Sequence, residues 1–179
     1  MKNMSKRRMA TLDITVFAVL GAIMFLSKIA LQLIPNVHLL GLFIAAITLT
    51  YGVKALIPIY VFVLLDGVVQ GFSTWWIPNL YIWLPLWASF MIVGKFQFQI
   101  PRKIQVPLYM ALCALHGLSF GALFAPVHAL FFRLSFQGMI AWIMAGIPFD
   151  IIHAVGNAAT ATLIVPMTIL LRRLKMMWV

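Results

Sequence analysis

Runs of apolar residues, interrupted at intervals by proline, glycine or clustered cations, dominate this chain from end to end. The first run, over 12–34, is long enough for a membrane-crossing helix and stops at Pro35-Asn36, where proline cannot continue a helix. It is too long for a signal-peptide core and lacks a small-residue cleavage site, so we read it as a retained helix. The apolar stretch that follows carries Gly52-Val53-Lys54 near its middle and reads as two short helices, 40–53 and 55–71. Further helices are predicted at 80–96, 106–130 and 138–171, the last long enough to tilt or to project beyond the bilayer.

The distribution of charge decides how these runs are threaded. Lys2, Lys6, Arg7 and Arg8 open the chain; Lys54 stands alone; Lys95, Arg102 and Lys103 form a third group; Arg172, Arg173 and Lys175 a fourth. Short cytoplasmic loops collect Lys and Arg, so one face of the bilayer should hold all four groups. Reading 40–71 as a single span would put the third group on the wrong face, which is why two helices are preferred there. The expected fold is an all-α integral membrane protein, a single six-transmembrane-helix bundle over 1–179 with both termini cytoplasmic.

Composition supports this and excludes much else. Hydrophobic residues make up 64% of the 179 and charged residues 9%, which leaves little chain for any extramembrane domain. The formal charge of +10 lies beside apolar spans, so anionic headgroups or an acidic cytoplasmic partner explain it better than nucleic acid. The single cysteine, Cys113, has no internal disulfide partner and reads as a small packing residue.

Chemistry concentrates in the loops opposite the cations and in the few polar residues within the spans. Phe72 to Asn79 contains Trp75 and Trp76 and is followed by Tyr81, Trp83 and Trp87. These aromatics read either as an interfacial belt or as the walls of a pocket that stacks on a flat ligand. Charges in hydrocarbon are costly and face a partner or a cavity. Lys28 and Asp66 are placed at similar heights, as a structural clamp or a ligand contact, and Gln70 follows Asp66 by one turn. Asp150, His153 and Asn157 fall at i, i+3 and i+7 on one helical stripe, lining a ligand or bonding between helices. His116 reads as a packed, hydrogen-bonded histidine. His128 and Arg133 flank the last outward loop, where Arg133 is a candidate for an anionic ligand group. Gly67 with Gly71 and Gly117 with Gly121 are GxxxG pairs suited to close helix packing.

Gly117-Leu118-Ser119-Phe120-Gly121 matches G-x-S-x-G, which makes an intramembrane serine hydrolase using Ser119 with His153 the alternative reading. That motif takes its meaning from a strand-to-helix turn, whereas here it lies in an apolar helical run. No glutamate, no metal-spaced Cys/His cluster and no Walker A sequence occur, so neither a metal nor a cofactor is expected and any ATP hydrolysis belongs to another subunit. No continuous polar stripe runs along several helices, as a channel would need.

Small size, six expected helices, three outward loops and the Ala18-x-x-x-Ala22 pair together resemble the substrate-binding S components of energy-coupling factor (ECF) transporters. Pro35-Asn36-Val37-His38, Lys54-Ala55-Leu56-Ile57-Pro58-Ile59-Tyr60 and Trp75-Trp76-Ile77-Pro78-Asn79-Leu80-Tyr81-Ile82-Trp83 look like one subfamily of them. The resemblance implies a non-enzymatic binding subunit of a prokaryotic plasma membrane. Such a subunit captures a vitamin or similar micronutrient and docks on a membrane scaffold subunit bearing two ATPase subunits. By position it implies Ala18 and Ala22 as the docking surface. It implies a pocket that includes Asn36, His38, Trp75, Trp76, Asn79, Trp83, Trp87, Arg133, Asp150 and Asn157. A planar heteroaromatic compound is the expected cargo, with a corrinoid as the larger possibility.

Overall fold

The computed structural model describes residues 2–34 and 36–177, with side chains from Thr11 onward. Pro35 and the side chains of Lys2, Lys6, Arg7 and Arg8 therefore lie outside the described residues. Every regular element among those described is helical: α1 (Lys2–Ala30), α2 (Leu40–Tyr51), α3 (Leu56–Gln70), α4 (Leu84–Phe96), α5 (Arg102–Leu118), α6 (Phe120–Phe132), α7 (Phe136–Ala161) and α8 (Ile164–Met176). Short 3-10 turns at Gly52–Ala55 and Ile77–Leu80 complete the set. Five stretches are long and apolar enough to cross a membrane: Thr11–Ala30, Leu40–Gln70, Ile77–Phe96, Arg102–Phe132 and Phe136–Ala161. Large apolar side chains such as Val19, Leu26, Val68, Ile92, Leu115 and Val155 are exposed on the outside of the bundle, as a lipid-facing surface requires.

Leu40–Gln70 is not straight. Gly52 adopts φ 60°, ψ −128°, where a side chain would be strained, and the chain turns back there. Ion pairs record the outcome. Lys54 Nζ meets Asp13 Oδ2 at 2.6 Å and Lys28 Nζ meets Asp66 Oδ1 at 2.6 Å, so α3 ascends beside α1 in the same direction. Gly21 lies at their crossing, where an added Cβ would fall 2.5 Å from Val61 and 2.9 Å from the Pro58 carbonyl. α2 runs antiparallel to them and packs chiefly against α4, α7 and α8, and each residue from Leu40 to Leu49 is buried. At about 1.5 Å per residue it is far shorter than the hydrocarbon core, which its burial among longer helices permits.

The stretches expected as single helices over 106–130 and 138–171 are each divided. Asp150 accepts the Gly121 backbone N–H at 3.1 and 3.2 Å, taking the donor that would otherwise reach back to Gly117, and the helix breaks at Ser119. Pro166 has no N–H for the Thr162 carbonyl and its ring clashes with it, so α7 gives way to α8 at Thr162–Leu163. The first helix also ends earlier than expected, at Ala30, and tightens through i→i−3 bonds such as Ile34 N–H to the Leu31 carbonyl at 2.9 Å.

Apart from Arg133, the described cations at the helix ends and loops converge on one end. Arg172 Nη2 donates to the Leu49 carbonyl at 2.8 Å and to Gln97 Oε1 at 2.7 Å, and Lys175 Nζ reaches the Thr50 carbonyl at 3.3 Å. The C-terminus of α2, the α4–α5 turn and α8 thus meet beside Lys54, Lys95, Arg102 and Lys103. The opposite, far end gathers the aromatic and imidazole side chains.

Candidate binding site at the far end

Asn36 adopts the left-handed conformation (φ 58°), which asparagine tolerates better than most residues, and turns the chain from α1 into α2. This segment rests on α7 at Gly156, where an added Cβ would meet Val37 at 3.5 Å and the Asn36 carbonyl at 3.8 Å. The packing brings His38 over His153, with their Nε2 atoms 2.7 Å apart. One imidazole must donate and the other accept, so both cannot be cations. The His38 imidazole is pushed down to about 3 by burial first, then by His153, His116 and Lys28.

Beneath this roof is a cavity of about 260 Å³, lined among others by Lys28, Asn36, His38, Gln70, Phe120 and His153. Asp66, fully buried, accepts from Lys28 Nζ at 2.6 and 2.7 Å and from Gln70 Nε2 at 2.7 Å. The charge on Lys28 is therefore balanced at the cavity wall, and its ammonium also sits 5.3 Å from the Trp75 ring centroid.

Behind the imidazoles stands Trp83, only 3% exposed, with ring centroids 5.9 Å from His38, 5.8 Å from His116 and 5.9 Å from Phe120. His116 Nε2 donates to the Ile82 carbonyl at 2.8 Å, which leaves its Nδ1 as a lone pair. Four buried polar atoms in this neighbourhood lack a hydrogen-bond partner among the described residues: His38 Nδ1, Trp83 Nε1, His116 Nδ1 and Asn157 Oδ1. Each such atom costs about 1–3 kcal/mol when left unpaired, so their gathering behind one cavity sets it apart from ordinary packing.

Of the residues expected at a site, the structure brings Asn36, His38 and Trp83 to this cavity or its back wall. Asn157 lies one turn beyond His153 and donates to the Cys113 carbonyl at 3.4 Å. Others hold the scaffold. Trp76 Nε1 donates to the Val63 carbonyl at 2.8 Å, and Asn79 Nδ2 donates to the Trp75 carbonyl at 3.3 Å, together fixing the loop after α3. Asp150 caps α6. Trp87 is half-buried with its Nε1 unpartnered, and its ring packs against the core. Arg133 is exposed at the left-handed end of α6 and does not line the cavity. Ala18 is exposed and Ala22 half-buried on α1.

Sequence reasoning did not select Phe120 or the His38–His153 pairing, which joins residues 115 positions apart. His153 was visible on its polar stripe; nothing local marked Phe120. Ser119 Oγ donates to the His116 carbonyl at 2.9 Å, while His153 Nε2 faces His38. Among the described residues no group of three or more His, Cys, Asp or Glu is placed to hold a metal ion. Comparison with protein-family models, with curated proteins and with solved structures gives no match.

Proposed function

We propose that this chain is the substrate-binding S component of an ECF transporter. In this reading it crosses a prokaryotic plasma membrane six times with both termini and the basic end in the cytoplasm. The far-end cavity then faces outward and captures a vitamin or related micronutrient. The observation that carries the reading is that cavity, roofed by the Asn36–His38 segment and backed by buried polar atoms without partners. Aromatic walls supply stacking area, and a few neutral donors and acceptors supply orientation. At about 260 Å³ the cavity is small beside typical ligand pockets, which favours a compound of one or two rings over a corrinoid.

Transport requires an energy source that this chain does not carry. A scaffold subunit with two ATPase subunits would supply it, docking against α1, where Ala18 and Ala22 allow close approach of another helix. Because Ala18 is exposed, a bulky substitution there leaves the bundle intact. The test is co-purification of membrane partners with the tagged chain from its own host. Wild type is expected to bring down a scaffold and two ATPases, and Ala18→Trp to lose them while retaining its melting temperature. Recovery of the folded wild type without any partner in stoichiometric amount argues against this function.

A further inference from the structure

A second cavity lies at the basic end, between the α4–α5 turn, the start of α5 and α8. Its volume is about 110 Å³, too small for a whole organic ligand and suited to one phosphate-sized group. Arg102, Tyr109 and Arg172 line it together with Gln97 and Phe98. The Arg172 guanidinium is held by neutral acceptors, the Leu49 carbonyl and Gln97 Oε1, and no carboxylate among the described residues pairs with it. Arg102 has no ion-pair partner among the described residues either. Tyr109 is 1% exposed, packs on Phe90 at 5.4 Å, and has a hydroxyl without a hydrogen-bond partner among them.

The chain has three acidic side chains, and each is engaged elsewhere: Asp13 with Lys54, Asp66 with Lys28, and Asp150 with the Gly121 N–H. Two guanidinium charges at this cavity thus have no carboxylate partner among the described residues, and α5, which begins at Arg102, adds the positive end of its dipole. The cavity's surroundings indicate where the matching anion comes from. Phe98 is 84% exposed, stacked 5.1 Å under the Arg172 guanidinium, and Phe96, two residues before it, is 51% exposed. Gln105 Nε2 holds this turn in place through the Gln97 and Ile100 carbonyls at 2.8 and 2.9 Å. Exposed aromatics beside unpaired arginines, next to an apolar outer surface, match a headgroup with acyl chains below it.

The geometry points to a binding site for the phosphate of one anionic phospholipid, seated on Arg102, Arg172 and Tyr109 at the basic end. The site differs in place, size and charge from the far-end cavity and does not depend on what that cavity binds.

Native mass spectrometry of the detergent-purified protein with added phosphatidylglycerol, phosphatidylcholine or inorganic phosphate tests it. Wild type is expected to retain one phosphatidylglycerol and no phosphatidylcholine. Arg102→Gln and Tyr109→Phe give up no hydrogen bond within the protein, so both should fold. Arg102→Gln should cut retention by about fivefold, roughly the worth of one cation at an anionic surface, and Tyr109→Phe by a similar factor through loss of one hydrogen bond to the phosphate. Lys103→Gln, which lies outside the cavity, should leave it unchanged. Equal retention of phosphatidylcholine overturns the site in favour of lipid adhering without regard to charge, and an equal loss in Lys103→Gln overturns it in favour of diffuse attraction. Inorganic phosphate that displaces the lipid with the same dependence on Arg102 and Tyr109 overturns the lipid assignment in favour of a soluble phosphate.

Discussion

His38 Nε2 and His153 Nε2 meet at 2.7 Å and so fasten the segment that roofs the far-end cavity to α7. The bond exists only while at least one ring is neutral. Protonating both would set two cations against each other in a buried site next to Lys28.

A pH dependence follows, and its sign is fixed by the direction of the shift. An unfolded histidine titrates near 6.5, whereas burial and its neighbours hold His38 down to about 3 in the fold. Its contribution is fully present above about pH 6.5 and is lost as pH falls toward about 3. The melting temperature in detergent should decline between pH 7 and 4, and His38→Gln should flatten that decline. A wild-type melting temperature constant over this range contradicts the assignment.

Asp66 is completely buried and depends on Lys28, whereas Lys28 is 29% exposed and can reach water. Lys28→Met therefore leaves an uncompensated buried carboxylate, with Gln70 its remaining donor, and should cost about 3–5 kcal/mol. Replacing both partners, as Lys28→Met with Asp66→Leu, should recover most of that loss. Thermal unfolding of the single and double variants measures the difference.

How much of this could be read from the chain depends on the range of the interaction. Lys28 and Asp66 were legible as partners because charges in hydrocarbon need one and both lie at similar heights. Charge clustering likewise pointed to one basic end, where Lys54, Arg102, Arg172 and Lys175 are found. The break at Ser119 was not legible, because it arises when Asp150, 29 residues away, takes the Gly121 N–H. The break at Thr162 had a local cause in Pro166, which the length of the apolar run concealed. Most of the aromatic loop proved to be internal bracing. Trp76 and Asn79 look like pocket residues in sequence because stacking and turn-locking draw on the same residue types.

The G-x-S-x-G pattern has a packing explanation that mutation can check. A Cβ on Gly117 would lie 2.7 Å from the Ala154 backbone, and one on Gly121 would lie 2.5 Å from Asp150 Oδ2. Gly117→Ala and Gly121→Ala should each destabilise by about 1–3 kcal/mol, with Gly117 the worse because backbone cannot step aside. Gly146→Ala meets nothing within 4 Å on the same helix as Ala154 and should be neutral or mildly stabilising. Melting temperatures of the three variants test the packing explanation.

Whether the far-end cavity holds a small organic ligand can be read by denaturing the protein purified from its own host and identifying what it releases. Wild type should release a compound of one or two rings in stoichiometric amount, and a folded His38→Ala variant should release none. A folded wild type that releases nothing, or the same compound recovered equally from His38→Ala, would contradict a ligand site there.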